Sequence, residues 1–420
     1  MLPDSYLKRL ARVKPYAELW RDDHKFVEHR IGLYATFYFD HFHPMVDSNE
    51  AARKALIECW KDYWDLVGTQ HQKWIYRFGS SIRGYKLPTD KVPPLDAYLS
   101  DPEKHGDYQY YVHGGKHEDD ASDYLFSTAG FPVYGAPEYP KDIAYLELQA
   151  PLEYITNGKL SAFVELVKRC AVRLKVDQAH GGLGLLRTYN EETTTRSTEY
   201  QLSQVFSGVD VNVPYMQMSN LFWNEQGHLG IDSPHWLNVL GARWVEKLGG
   251  FDALKAKLPE DVFVVEPCGE GVFIQAGPYP EPGHKDDGLP PAYVWLNRVL
   301  LPVRAPKMVY CFGDNPGQLA QRQGAMPYFT RFDAASAKLP PVGGSDIQAL
   351  VATLSASASS ESKRNNVPAN QPCPEAGWWF TPAQANSRRY FKQGEIMPSV
   401  GGDYGETFWQ WSPDQSAPTL

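Results

Sequence analysis

The chain has no apolar run near the roughly 20 residues that a bilayer-spanning helix requires. Its first residues, MLPDSYLKRLARVKPYAELW, lack the continuous apolar core of a secretory signal, so a cytoplasmic protein is expected. Paired cysteines are missing as well. Cys59, Cys170, Cys268, Cys311 and Cys373 are far apart, odd in number and never in a Cys-x-x-Cys arrangement. That excludes a disulfide framework and a zinc ribbon, and it fits a reducing compartment. Cys59 and Cys170 fall on apolar helix faces and read as small core residues. Positive charge is in deficit: the formal net charge is −9. Nucleic acid is therefore excluded as the direct ligand, because phosphate binding needs a basic face, and a basic protein partner is favoured. There is no Gly-x-Ser-x-Gly elbow and no phosphate-binding Gly-x-x-x-x-Gly-Lys-Ser/Thr loop.

Apolar and aromatic residues are plentiful, at 43% and 13%, which calls for a packed globular protein. A chain of 420 residues exceeds one ordinary core and points to two or three domains. The acidity is concentrated. Residues 91–150 hold eleven acidic residues against four basic ones, a balance of −7.

Residues 31–39 (IGLYATFYF) and 74–78 (WIYRF) read as strands, and between them Ala52, Leu56, Cys59, Tyr63, Trp64 and Val67 recur at helical spacing. Asp47-x-x-Glu50 is a capping box at the start of that helix. The order recurs in 143–149, a helix after Asn157 with Phe163, Val167, Cys170 and Leu174 on its apolar face, and a strand at 183–189. The expected class is α+β, with a mixed sheet or sheets, packed helices and two strand–helix–strand units as a pseudo-repeat. Hairpin strands are expected at 108–113 and 124–129, and a further strand at 271–276. Ser233 and Pro234 suit the start of a helix whose apolar face is Trp236, Leu237, Leu240, Trp244, Val245 and Leu248, closed by Gly249-Gly250. A second helix is expected over Tyr293–Leu301. Residues 333–372 turn small and polar, with one helix near Asp346–Ser355.

Few constellations suit chemistry. His41 and His43 lie on one strand face beside Asp40, a metal half-site in outline, but no third ligand is identifiable and solvated strand-end histidines are preferred. His180-Gly181-Gly182-Leu183-Gly184 reads as a turn before a strand, the wrong order for a phosphate loop. His235 and Glu246 read as satisfied buried polar groups rather than an acid–base pair. Arg388 and Arg389 suit an internal ion pair better than a carboxylate or phosphate grip. No catalytic residue, metal ligand or cofactor is assigned. The run His113-Gly-Gly-Lys-His-Glu-Asp-Asp120 reads as an exposed hairpin tip, Gly for the turn and charge for water. Its use against a basic partner ranks above cation binding. The candidate partner contacts are Tyr110, His113, His117, Glu118, Asp119, Asp120, Asp123 and Tyr124, since tyrosine offers area at low entropic cost and the acids would meet Arg or Lys.

Four blocks carry a family resemblance: VDVNVPYMQMSNLFW (209–223), PHWLNVLGARWVEKLGG (234–250), GVFIQAGPYPEPG (271–283) and PPAYVWLNRVLLPVRA (290–305). They resemble the TsiV family, immunity proteins of the bacterial type VI secretion system, over most of residues 25–310. The resemblance implies a cytoplasmic antidote that binds and blocks a cognate effector, with VRR-Nuc type DNases as one known class of target. Alternatives are a metal-dependent hydrolase or toxin-modifying enzyme, or an adaptor that loads an effector. The tail motif GWW-x-TPA…SRRYF-x-x-GE-x-MP…TFWQW resembles a small module that recurs in polymorphic-toxin systems. The expected organisation is a 1–310 immunity domain with two related halves (about 25–190 and 191–310), a linker or surface arm at 311–372, and an aromatic module at 373–420 that needs the main body to cover it.

Overall fold

A strand favours β-branched and aromatic residues without proline, and VEHRIGLYATFYFD is a proline-free run of fourteen residues rich in both. In the computed structural model this segment, Val27–Asp40, is the longest strand and lies near the middle of a 12-stranded sheet. The structure describes residues 2–20, 26–40, 50–77, 84–100, 108–131, 143–189, 196–211, 214, 230–306, 326–339, 367–381, 384, 387–400 and 407–412.

The sheet comprises β1 (Glu18–Trp20), β2 (Val27–Asp40), β3 (Trp74–Arg77), β4 (Tyr85–Lys86), β5 (Tyr108–His113), β6 (Leu125–Phe131), β7 (Ile143–Ala150), β8 (Gln178–Arg187), β9 (Val209–Asp210), β10 (Leu237–Leu240), β11 (Phe263–Cys268) and β12 (Gly271–Ala276). Its order is β11-β12-β10-β8-β2-β7-β6-β5-β3-β4, with β1 on β2 and β9 on β8. The β8–β9 pairing is parallel, and the others are antiparallel. The protein is therefore α+β, with one mixed sheet. Both strand–helix–strand units are present, β2 to β3 through the helix Glu50–Val67 and β7 to β8 through the helix Leu160–Leu174. Their strands interleave: β2 sits between β7 and β8. The strands of residues 237–276 continue the same sheet through the β8–β10 pairing.

Register identifies the two faces. Ala35 lies opposite Leu148, and Leu148 opposite Phe126, whose ring packs 5.0 Å from that of Trp60 on the helix Glu50–Val67. Leu33, Ala35, Phe37 and Phe39 thus belong to the helix-covered face, and all are buried. Cys59 and Cys170 are buried free thiols.

Three local expectations are corrected. Residues 236–248 do not form one helix. Leu237–Leu240 is β10, wedged between β8 and β12, and a short helix, Ala242–Lys247, follows Gly241. Four consecutive buried residues with hydrogen-bonding neighbours on both sides gain more from two ladders than from one helical turn. Ser233 accordingly caps no helix: it is buried, and its N–H donates to Asp232 Oδ1 at 2.6 Å. His180–Gly184 is not a turn but the interior of β8. Asn157 does not cap the helix Leu160–Leu174, whose N-cap is Lys159; its Oδ1 accepts the Lys159 N–H in the preceding turn. The Asp47 cap, His41, His43 and the helix near 346–355 lie outside the described residues.

The chain divides into two compact units, residues 1–284 with 289–345, and residues 285–288 with 346–420. The second holds a four-stranded sheet, β13 (Val367–Pro368), β14 (Gly377–Phe380), β15 (Arg389–Phe391) and β16 (Phe408–Trp411), in the order β13-β16-β14-β15. Cys373, Trp379, Phe391, Met397 and Trp409 form a buried core cluster within this unit. Arg388 donates to Ser412 Oγ at 3.1 Å and lies over the Trp378 ring.

Glycine in β8 is a packing requirement. A Cβ on Gly181 would stand 2.6 Å from the Tyr34 carbonyl oxygen, on the adjacent strand. Gly181→Ala should therefore lower the stability to urea by about 1–3 kcal/mol, the usual cost of overpacking. An unchanged unfolding midpoint would show that β2 and β8 do not approach this closely.

Candidate functional site

The second sheet face is polar, yet it too is buried. Tyr34, Thr36 and Tyr38 alternate with the apolar residues of β2. Thr36 stands opposite Glu147 on one side and His180 on the other, and His180 stands opposite Asn238. Thr36, His180 and Asn238 are all buried. Two glycines make this arrangement fit. A Cβ on Gly184 would meet the Tyr34 ring at 2.4 Å, and one on Gly182 would meet Trp236 Cβ at 3.2 Å. Their absence of side chains lets an aromatic ring and the segment before β10 lie over β8.

At the centre are His180 from β8, Asp210 from β9, and Asp232 and His235 from the segment that enters β10. His180 Nε2 lies 3.7 Å from Asp210 Oδ2 and 3.9 Å from Asp232 Oδ2. His235 Nε2 lies 3.5 Å from Asp232 Oδ2. The two imidazoles stack, centroids 4.3 Å apart. The Tyr34 hydroxyl sits 2.9 Å from His235 Nδ1, and Tyr328 donates to Asp210 Oδ1 at 3.2 Å. Gln178 ties the backbone in place, accepting the Asp232 N–H and donating to the Gly230 carbonyl. None of His180, Asp210, Asp232 and His235 is more than 5% exposed.

The charges are mutually dependent. Burial would lower the pKa of His180, but its contact with Asp210 and the charges of Asp232 and Asp210 outweigh that and raise it. Burial would raise Asp210 and Asp232, but the two histidines hold both carboxyls below their usual range. Burial and the charge of His180 lower the pKa of His235. All four side chains are buried, so each depends on the others for its charge balance. Glu246 does not join it, being exposed on the helix Ala242–Lys247. The sequence offered two signals that were not combined: the Asp232-x-x-His235 spacing, and a lone histidine among glycines in a strand. Asp210 and Tyr34 carried no signal, because only tertiary pairing brings them there.

The anticipated partner contacts are differently employed. Tyr110 is buried against Trp60 and donates to the Pro93 carbonyl. His113 is 1% exposed, and its Nδ1 accepts from the Gly115 N–H. Asp120 is buried: Oδ1 accepts from the Val27 N–H at 3.0 Å, and Oδ2 from the N–H groups of Lys116 and His117 at 2.8 and 2.9 Å. Glu118 is half-buried and accepts from the Gly84 N–H, while its carbonyl accepts from the Tyr76 hydroxyl. Asp123 pairs with Arg30 at 3.4 Å. Tyr124 stacks on His71. Asp119 is half-exposed and His117 exposed. The expected free hairpin tip is thus folded back onto β2, because adjacent aspartates after a Gly-Gly turn can satisfy several backbone N–H groups at once. Asp40 ends β2 exposed to solvent.

A large sheet clad by helices on one face and sealed over a polar network on the other defines a protein whose described ionisable cluster is internal. A model of the TsiV family, described as type VI immunity for VRR-NUC, matches residues 55–332, and the chain belongs to that family. The match runs past residue 310 into the segment that supplies Tyr328. Among solved structures, the Pseudomonas aeruginosa T6SS protein PA0821 is similar with a TM-score of 0.66 at 23% identity, covering 80% of this chain and 94% of that one. At that identity the likeness establishes a shared fold. No curated protein sequence matches.

Burial pushes the pKa of His113 down to about 4, against an unfolded value of about 6.5. The unfolded chain therefore takes up this proton first as pH falls. Stability should drop between about pH 6.5 and 4, by up to about 1.4 kcal/mol per pH unit from this group. Urea unfolding across that range should show a shallower loss for His113→Gln than for the parent. Parallel profiles would mean that His113 protonates equally in both states.

Proposed function

We propose that the protein is a cytoplasmic antitoxin that neutralises a VRR-NUC type nuclease effector by binding it one to one and covering its cleft. The family match over residues 55–332 carries this reading, since that family is described as type VI immunity for VRR-NUC. The electrostatics are suited to it. A DNA-cleaving domain needs a basic cleft, and a chain of net charge −9, with −7 of imbalance within residues 91–150, complements one. Among the described residues no helix is long and apolar enough to cross a membrane. The buried state of the described His–Asp cluster favours inhibition by contact over inhibition by turnover.

The contact surface we infer is the acidic segment 91–150, through its solvent-facing members. Asp96 is exposed and Asp119 half-exposed. Asp120, Glu118 and Asp123 would contribute indirectly, by holding the loop in shape. Tyr110 and His113 would support it from beneath.

Titrating toxin nuclease activity with purified protein should give a linear loss that reaches completion at one antitoxin per toxin. Complete loss far below that ratio, with a monomeric toxin, would demonstrate catalysis and contradict the reading.

Asp96→Lys with Asp119→Lys should slow association with the toxin several-fold at low salt and flatten its salt dependence, since peripheral charges act mainly on the association rate. Asp120 is left alone in this test because its removal would disturb the fold. Parental association kinetics in that double variant would place the contact elsewhere.

A further inference from the structure

The His–Asp cluster satisfies its chemistry poorly by hydrogen bonding alone. His235 Nδ1 faces the Tyr34 hydroxyl at 2.9 Å, which leaves Nε2 as the atom directed at Asp232. That Nε2 is buried and makes no hydrogen bond: its separation of 3.5 Å from Asp232 Oδ2 is too long for one. His180 Nε2 faces two carboxylate oxygens at 3.7 and 3.9 Å, again without closing to hydrogen-bond distance. Side chains 95% or more buried usually close such gaps, because an unmade buried hydrogen bond costs about 1–3 kcal/mol.

The separations have a different meaning if something sits among His180, Asp232 and His235. Zinc binds His nitrogen and carboxylate oxygen at about 2.0–2.2 Å in a tetrahedron, which places its ligands about 3.3–3.6 Å apart. The separations of Asp232 Oδ2 from His235 Nε2 and His180 Nε2, 3.5 and 3.9 Å, lie at or just outside that edge length. One ligand atom each from His180, Asp232 and His235 falls within a sphere of mutual separation of 4.8 Å. Charge agrees with geometry. Two carboxylates and two neutral imidazoles carry −2, and a divalent cation makes the buried group neutral.

We propose that His180, Asp232 and His235 form a site for a divalent transition-metal ion, with Asp210 beside His180 and zinc as the ion that suits two nitrogen ligands and one oxygen ligand. It ties β8 to the segment before β10 from within, and its three protein ligands are all buried. The Tyr34 hydroxyl on His235 Nδ1 orients the ring from behind, as outer partners of metal-bound histidines do. Tyr328 holds the neighbouring Asp210 through its Oδ1.

The test uses the full-length protein and does not depend on any toxin. Elemental analysis after purification without chelator, and again after incubation with zinc chloride and desalting, should give one zinc per chain. Prolonged treatment with a strong chelator should lower the melting temperature, and added zinc should restore it. Cobalt(II) reconstitution should produce the intense visible bands of tetrahedral coordination. His235→Gln with Asp232→Asn should lose the zinc while far-UV circular dichroism reports whether the fold persists. The proposal is overturned if the zinc-incubated parent holds no metal above background and its melting temperature responds to neither zinc nor chelator. It is also overturned if the folded double variant keeps its full zinc. Either result would leave the antitoxin titration unaffected, so the two conclusions stand or fall separately.

Discussion

The contact between His235, Tyr34 and Asp232 on the polar sheet face is the interaction around which the rest of the main unit is arranged. Sheets commonly bury one face and wet the other. Here the second face is buried while still carrying His180, Asn238 and Thr36, so each group must find a partner inside the protein. The covering chain is recruited accordingly. Ile231 is bonded in both directions to the segment around Val303 and Ala305, and Arg331 donates to Ser233 Oγ. Arg304 grips Asp333 in a two-pronged pair supported by Asn297. Residues 326–339 thereby become a clasp on the network, and the family match runs into them, to residue 332.

A rigid interior of this kind leaves recognition to the surface. Asp120 illustrates the division of labour. Its carboxylate binds three backbone N–H groups, one of them from β2, so the loop after β5 is pinned to the centre of the sheet. A loop held in one shape loses little entropy when a partner docks, and affinity benefits from that preorganisation. The acidic residues of the segment thus divide into those that shape the loop and those that face water.

Much of the fold was legible in the sequence. Periodicity alone located β2, β5, β6, β7, β12 and the helices Glu50–Val67, Leu160–Leu174 and Pro291–Leu300, because each has one dominant apolar repeat. The failures share a cause. Trp236–Leu248 fits a helical repeat, but Leu237–Leu240 is flanked by strands far away in sequence, and tertiary pairing overrode local pattern. The glycines at 181, 182 and 184 look like a turn until Tyr34 and Trp236 are seen to need their space. The internal cluster was half visible: His180 and His235 stood out singly, whereas their convergence with Asp210 and Asp232 depends on register across β8, β9 and β10. The loop at 113–120 was located correctly as a turn, but charge alone could not distinguish an acid that faces water from one that binds the backbone.

The division between a sealed polar interior and a recognising surface is open to one direct measurement, hydrogen–deuterium exchange of the protein free and bound to its toxin. The account predicts that amides of β2, β8 and residues 230–240 exchange only on global unfolding in both states. New protection on binding should appear in surface segments, foremost within residues 91–150. Fast exchange of residues 230–240 in the free protein, or toxin-induced protection confined to them, would show that the polar face opens to its partner and would contradict the account.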